Sequence, residues 1–181
     1  MTIASADDVL AFWRAAGPQK WFTKDAAFDA EITQRFLPTH RAAADGALSD
    51  WEATPEGAMA LTIVLDQFPR NMFRNDDRAF ATDMTARAVA DRALARGFDR
   101  QVPDELRMFF YLPLEHSETM ADQERCCALF KTLGNADLLH WAELHADIIR
   151  RFGRFPHRNA VLGRTTTPDE KTYLDNDGFA G

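Results

Sequence analysis

The chain of 181 residues is 46% apolar and 27% charged, with a net charge of −7 and a pI near 5.2. That acidity excludes non-specific binding to nucleic acid or to an anionic membrane surface. Four Trp and 14 Phe are enough to build a core with no disulfide or metal staple, and the length suits one domain over residues 1–181, with 175–181 as a loose tail.

In chain order, Ser5 is placed to cap a first helix that carries Val9, Leu10, Phe12 and Trp13 on one side, and Gly17-Pro18 ends it. Thr23 opens a second helix with the stripe Phe28, Ile32, Phe36; Pro38 interrupts or kinks it and Asp45-Gly46 closes it. Thr54-Pro55-Glu56 starts a third, apolar almost all round and therefore central, which Pro69 stops. Asp76 or Asp77 starts the next, with Phe80, Met84, Ala88 and Leu94 inward and Gly97 as its left-handed cap. Pro103-Asp104-Glu105 opens another, broken or bent at Pro113, and Leu114 to Leu133 forms a further helix closed by Gly134. Asp137 caps the next, with Leu138, Trp141, Leu144, Ile148, Ile149 and Phe152 inward and Gly153 at its end. Thr167-Pro168-Asp169-Glu170 is a capping box for a short last helix. No segment alternates with period two, so the reading is all-α: about seven to eight helices joined by short loops, in stacked antiparallel pairs.

The two cysteines, Cys126 and Cys127, are adjacent and point to different sides of a helix, a reduced pattern that places the chain in the cytoplasm. Residues 1–13 carry Asp7 and Asp8 and no Lys or Arg, unlike a signal peptide. The most apolar run, 58–65, is too short to span a membrane.

Three polar clusters exceed what the helices need. The first is Asp66-Gln67-Phe68-Pro69-Arg70-Asn71, with Arg74 following. Its Asp, Arg and Asn either satisfy backbone groups at the end of a buried helix or face a cleft where Arg70 and Arg74 meet an anion. The second is Tyr111-Leu112-Pro113-Leu114-Glu115-His116-Ser117-Glu118. Glu115 and Glu118 share a helical face beside His116, which makes these three the acid–base candidates, although a structural network uses the same residues. A di-iron bundle would want Glu-x-x-His on one face and the fourth residue here is Glu, so no metal or other cofactor is expected. The third cluster runs from Arg150 to Asn159 and on to Arg164; from Ile148 to Pro168 there are five Arg, one His and no acid. The helix dipole explains its first residues. Arg154, His157, Arg158, Asn159 and Arg164 lie beyond it, and they suit either an acidic ligand or the carboxylates of Glu115 and Glu118.

Asp66 to Asn71, Tyr111 to Glu118 and Arg151 to Asn159 with Leu162 to Arg164 together resemble the bacterial family called domain of unknown function 924. The resemblance extends to Ala79 to Asp83, Val9 to Trp13 and the closing Thr-Pro-Asp-Glu, and so covers nearly the whole chain. It implies an all-helical fold like that of tetratricopeptide-repeat proteins, and no reaction. Three functions follow as expectations. The first is a binding module that grips an acidic peptide or small anion through Asp66, Arg70, Asn71, Arg74, Tyr111, Arg154, His157, Arg158, Asn159 and Arg164. The second is a small-molecule enzyme using Glu115, His116 and Glu118. The third is a purely structural role for the polar motifs.

Overall fold

The computed structural model describes residues 2–176, 178 and 179. Among them are nine α-helices and no strand, and eight of the helices have seven residues or more. The chain falls into two compact units, residues 1–113 and 114–181.

The first unit is built around α4 (Pro55–Met72), whose residues from Gly57 onward are nearly all buried. Thr54 caps it through the Gly57 N–H, and Pro55 sits in the first turn, where its missing N–H costs nothing. Gly57 is required by a close approach: a Cβ there would lie 2.1 Å from the Trp51 carbonyl oxygen. Around α4 pack α1 (Ala6–Ala16), α3 (Ala26–Ala44) and α5 (Asp83–Ala95). Phe12, Trp13, Phe28, Phe36, Phe68 and Phe109 form a continuous aromatic core, with ring centroids 4.9–6.4 Å apart. The one-turn helix α2 (Pro18–Trp21) adds Trp21, whose indole N–H donates to the Trp13 carbonyl.

Several boundaries differ from the expected ones, each for a local reason. Asp25, not Thr23, caps α3, because its carboxylate accepts from the Ala27 and Phe28 N–H groups while the Thr23 hydroxyl donates back to Gln19. Pro69 lies inside α4 and does not stop it. Proline has no N–H for the Leu65 carbonyl four residues earlier, and the Thr82 hydroxyl donates to that carbonyl instead, at 2.6 Å. Pro38 and Pro113 are likewise inside helices. Asp76 caps only a 3₁₀ turn, Asp77–Ala79, and α5 begins at Asp83. That late start changes the helical phase: Ala86, Val89, Ala90 and Ala93 face inward, and Met84 is 74% exposed.

The second unit contains α7 (Met120–Thr132), α8 (Ala136–Phe152) and α9 (Pro168–Asp175), with α7 against α8. The single helix expected from Leu114 to Leu133 is absent. Instead α6 (Asp104–Glu115) ends at Glu115, because the Gln123 side chain takes the carbonyls of Glu115 and Ser117 at 2.7 and 2.6 Å. Asn135 caps α8 in place of Asp137, and the left-handed Gly153 ends it. Thr167 and Glu170 form the expected capping box of α9. The core here joins Ile148, Ile149 and Phe155 to Met120, Leu144, Phe152, Tyr173 and Phe179. Of the stretch expected to be loose, Asp175 ends α9 and Phe179 packs on this core, while residues 177, 180 and 181 lie outside the described ones.

Candidate functional site

In the first unit, both ends of the Asp66–Asn71 segment are tied into the fold. Arg70 makes a two-bonded fork with Asp83 at 2.9 and 3.0 Å and also donates to the Asp66 carbonyl. Asp66, fully buried, accepts from the Gln67 amide at 2.5 Å and lies 3.3 Å from Arg70. Burial alone would lower the Arg70 pKa, but Asp83 and Asp66 outweigh it and hold it above its ordinary value. Asn71 and Arg74 both converge on Asp29 of α3. Tyr111 donates to Asp99 at 2.8 Å and accepts from Arg107 at 3.3 Å; burial, then the bond to Asp99, raises its pKa.

In the second unit the acid-free stretch receives its acids from either side. Glu118 accepts a fork from Arg164 at 2.7 and 3.0 Å and a third bond from the Phe155 N–H at 2.8 Å. Burial would raise its pKa, but these donors prevail and hold the carboxyl below its usual range. Glu170 accepts a fork from Arg154 at 2.5 and 2.8 Å, with Asn159 and the Thr167 N–H adding bonds of 3.1 and 2.7 Å. The bonds from Arg154 pull its pKa down to about 2. Arg158 lies over the Phe155 ring and donates to the His116 carbonyl at 3.1 Å.

Glu115 does not stand with Glu118. Its carboxylate lies 3.5 Å from His145 Nδ1, which is also 2.8 Å from the Trp141 carbonyl. Both neighbours are acceptors, so Nδ1 is assigned the proton. His157 Nδ1 is buried with no hydrogen-bond partner in the protein. Burial first, then Arg158 and His145, push its pKa down to about 3, which keeps the imidazole uncharged.

Sequence reasoning missed the partner acids Asp29, Asp83, Asp99 and Glu170. Asp83 and Glu170 were within reach, since both stand in stretches that carry the family resemblance; Asp29 is 42 and 45 positions from its partners and carries no local signal. Also missed was a groove of about 920 Å³ on the second unit. Trp141, Leu144, Arg151, Tyr173 and Phe179 are among its walls. Trp141 was expected inward but is 48% exposed here, although it shares a face of α8 with the buried His145 and Ile148. Arg151 lies over the rings of Phe152 and Tyr173, 4.9 and 5.1 Å from their centroids. Its ion pair with Asp147 is long, at 3.8 Å, and Arg150 shares that acid at 3.4 Å. Among the described residues, no group of three His, Cys, Asp or Glu side chains could hold a metal ion, and no helix is long and apolar enough to cross a membrane.

The fold and its pairings define an all-helical protein whose distinctive sequence motifs are joined by carboxylate–guanidinium forks. Residues 9–178 match the model of a family described as bacterial protein of unknown function, DUF924, and the chain belongs to that family. It is similar to a solved structure, the protein of unknown function ATU0120 from Agrobacterium tumefaciens. The two share 51% identity and a TM-score of 0.92 over 94% of this chain and 97% of that one. No curated protein matches.

Proposed function

We propose that the protein is a helical binding module for a short peptide segment carrying one carboxylate beside an apolar side chain, and that its seat is the groove of the second unit. The observation that carries this reading is Arg151. It is half-exposed on the groove wall, with its guanidinium carbon 4.9 and 5.1 Å from two ring centroids and only a long 3.8 Å pair with Asp147, which favours a carboxylate from a ligand. The groove volume suits a small ligand, and Trp141 and Leu144 supply apolar contact. Asp169 on the same groove disfavours a polyacidic tail and so favours a single acid.

The arginines singled out by sequence are less suited to an external anion. Arg70, Arg74, Arg154 and Arg164 each hold a carboxylate of the chain itself, which a ligand would have to displace. Glu118, with three donors and a depressed pKa, is a poor general base. We place the protein in the cytoplasm, in keeping with its two free thiols.

The test is fluorescence polarisation with labelled pentapeptides of the pattern apolar–Glu–apolar and their Gln counterparts. The Glu peptides bind the wild type, and Arg151→Ala weakens them about tenfold, the loss expected from one charge-assisted contact. Equal binding of Glu and Gln peptides, or of wild type and Arg151→Ala, rejects the reading.

A further inference from the structure

The groove is lined by residues from both α8 and α9, and the α9 side has a sign of its own. Asp169, Thr172, Tyr173 and Asn176 all line it. They recur at i, i+3, i+4 and i+7, which is one face of a helix. The Thr172 hydroxyl donates to the Pro168 carbonyl at 2.9 Å, so only its lone pairs are left for the groove. The Asn176 amide nitrogen donates to the Thr172 carbonyl at 2.8 Å, which assigns its other terminal atom as the oxygen, an acceptor.

Asp169 completes this acceptor face. Among the described residues its carboxylate makes no ion pair and no hydrogen bond, while its neighbours are engaged elsewhere: Glu170 with Arg154, and Lys171 with Asp175. Arg151 is close by. Its guanidinium carbon lies 5.1 Å from the centre of the Tyr173 ring, one helical turn from Asp169, yet its ion pair is the long one with Asp147. The groove therefore carries a cation and an anion that do not neutralise each other. The helix dipole gives Asp169 a reason to stand in the first turn of α9, but Glu170 already serves that turn and its capping box, and the dipole does not require an acid that faces the groove.

We propose that the peptide taken by the groove carries a Lys or Arg side chain next to its carboxylate, with the acid on Arg151 and the cation on the acceptor face of α9. This rests on the reading of the groove as a peptide seat and adds the sign of the second charge. Asp169 and Thr172 are three positions apart on one face, so a single ammonium meets both, and Asn176, one turn further on, accepts a backbone N–H. A segment with an acid alone would leave the Asp169 charge uncompensated beside its own. A segment with both charges compensates the two walls together, and its near-zero net charge avoids repulsion from a chain of net charge −7.

The experiment is fluorescence polarisation at low salt with labelled peptides of the pattern apolar–Glu–Lys–apolar, and with counterparts in which Lys is acetylated or Glu is replaced by Gln. Wild type, Asp169→Asn and Arg151→Ala are compared. The wild type prefers Lys to acetyl-lysine by about threefold, the contribution of one exposed ion pair. Asp169→Asn loses that preference and keeps the preference for Glu over Gln, whereas Arg151→Ala does the reverse. A Lys preference that survives Asp169→Asn, or its absence in a wild type that still prefers Glu, overturns this inference and leaves the groove reading in place. A wild type that does not distinguish Glu from Gln rejects the groove reading and this inference with it. Each preference is a ratio measured within one protein, so a less stable variant does not imitate its loss, and the wild-type comparison decides the matter by itself if a variant fails to fold.

Discussion

At the residue scale, the polar side chains of the motifs behave as halves of pairs. Glu170 is the clearest. It is 2% exposed and accepts from Arg154, Asn159 and the Thr167 N–H, and its pKa falls from 4.5 to about 2. A depressed carboxylate stabilises the fold fully above its unfolded pKa and loses that contribution as pH falls through the folded one. Its stabilisation is therefore present above about pH 4.5 and fades toward pH 2. The melting temperatures of wild type and Glu170→Gln should lie well apart at pH 6, and the gap should narrow steadily below pH 4.5. His157, with its pKa pushed down to about 3, also destabilises the fold as pH falls below 6.5, but equally in both proteins, so it cancels in the comparison. A gap that is constant from pH 6 to pH 3 would mean that the ionised form of Glu170 contributes nothing.

At the element scale, stability depends on how each helix end or break is repaired. Three caps were legible in the sequence because a cap is a local event: Ser5 with Asp8, Thr54 with Gly57, and Thr167 with Glu170 all act within three residues, whereas the caps of α3 and α8 fall two residues from the ones expected, at Asp25 and Asn135. The prolines were not legible. Whether Pro69 ends α4 is decided by Thr82, which is 17 residues from the carbonyl it repairs. The same docking of Thr82 sets where α5 starts, and with it the phase that leaves Met84 outside. Thr82→Val should cost about 1–3 kcal/mol by orphaning the buried Leu65 carbonyl. Adding Pro69→Ala restores an N–H to that carbonyl and should recover at least half of the loss. Chemical denaturation of the three proteins measures both. A double variant no more stable than Thr82→Val alone would refute the role given to the hydroxyl.

At the scale of the whole molecule, the all-helical class followed from the 3.6-residue periodicity and from Gly and Pro punctuation, which composition makes plain. The pairing plan was less accessible. Glu118 and Arg164 are 46 residues apart, and Arg74 and Asp29 are 45 apart. Sequence could show that the arginine-rich stretch lacked acids and could offer Glu118 as one of two kinds of partner, but not that Glu170 takes Arg154. The same distances explain why those arginines resembled a ligand grip: a fork waiting for an external anion and a fork closed by an internal one have the same local sequence. The groove at Arg151 was hidden for the opposite reason, since Trp141 sits in an apolar helical pattern and only the packing of α8 and α9 leaves it outside.

The central claim is that the motif arginines hold the fold together, and the most direct test is the melting temperature of Arg164→Met. This change keeps an unbranched apolar stem and removes the charge facing Glu118 and the bond to the Phe155 carbonyl. Both partners retain some solvent exposure, which discounts the loss to about 1–3 kcal/mol. In a chain of this size that is a fall of about 3–10 °C. A variant that melts with the wild type would contradict the account and return Arg164 to the surface as a residue kept for a ligand.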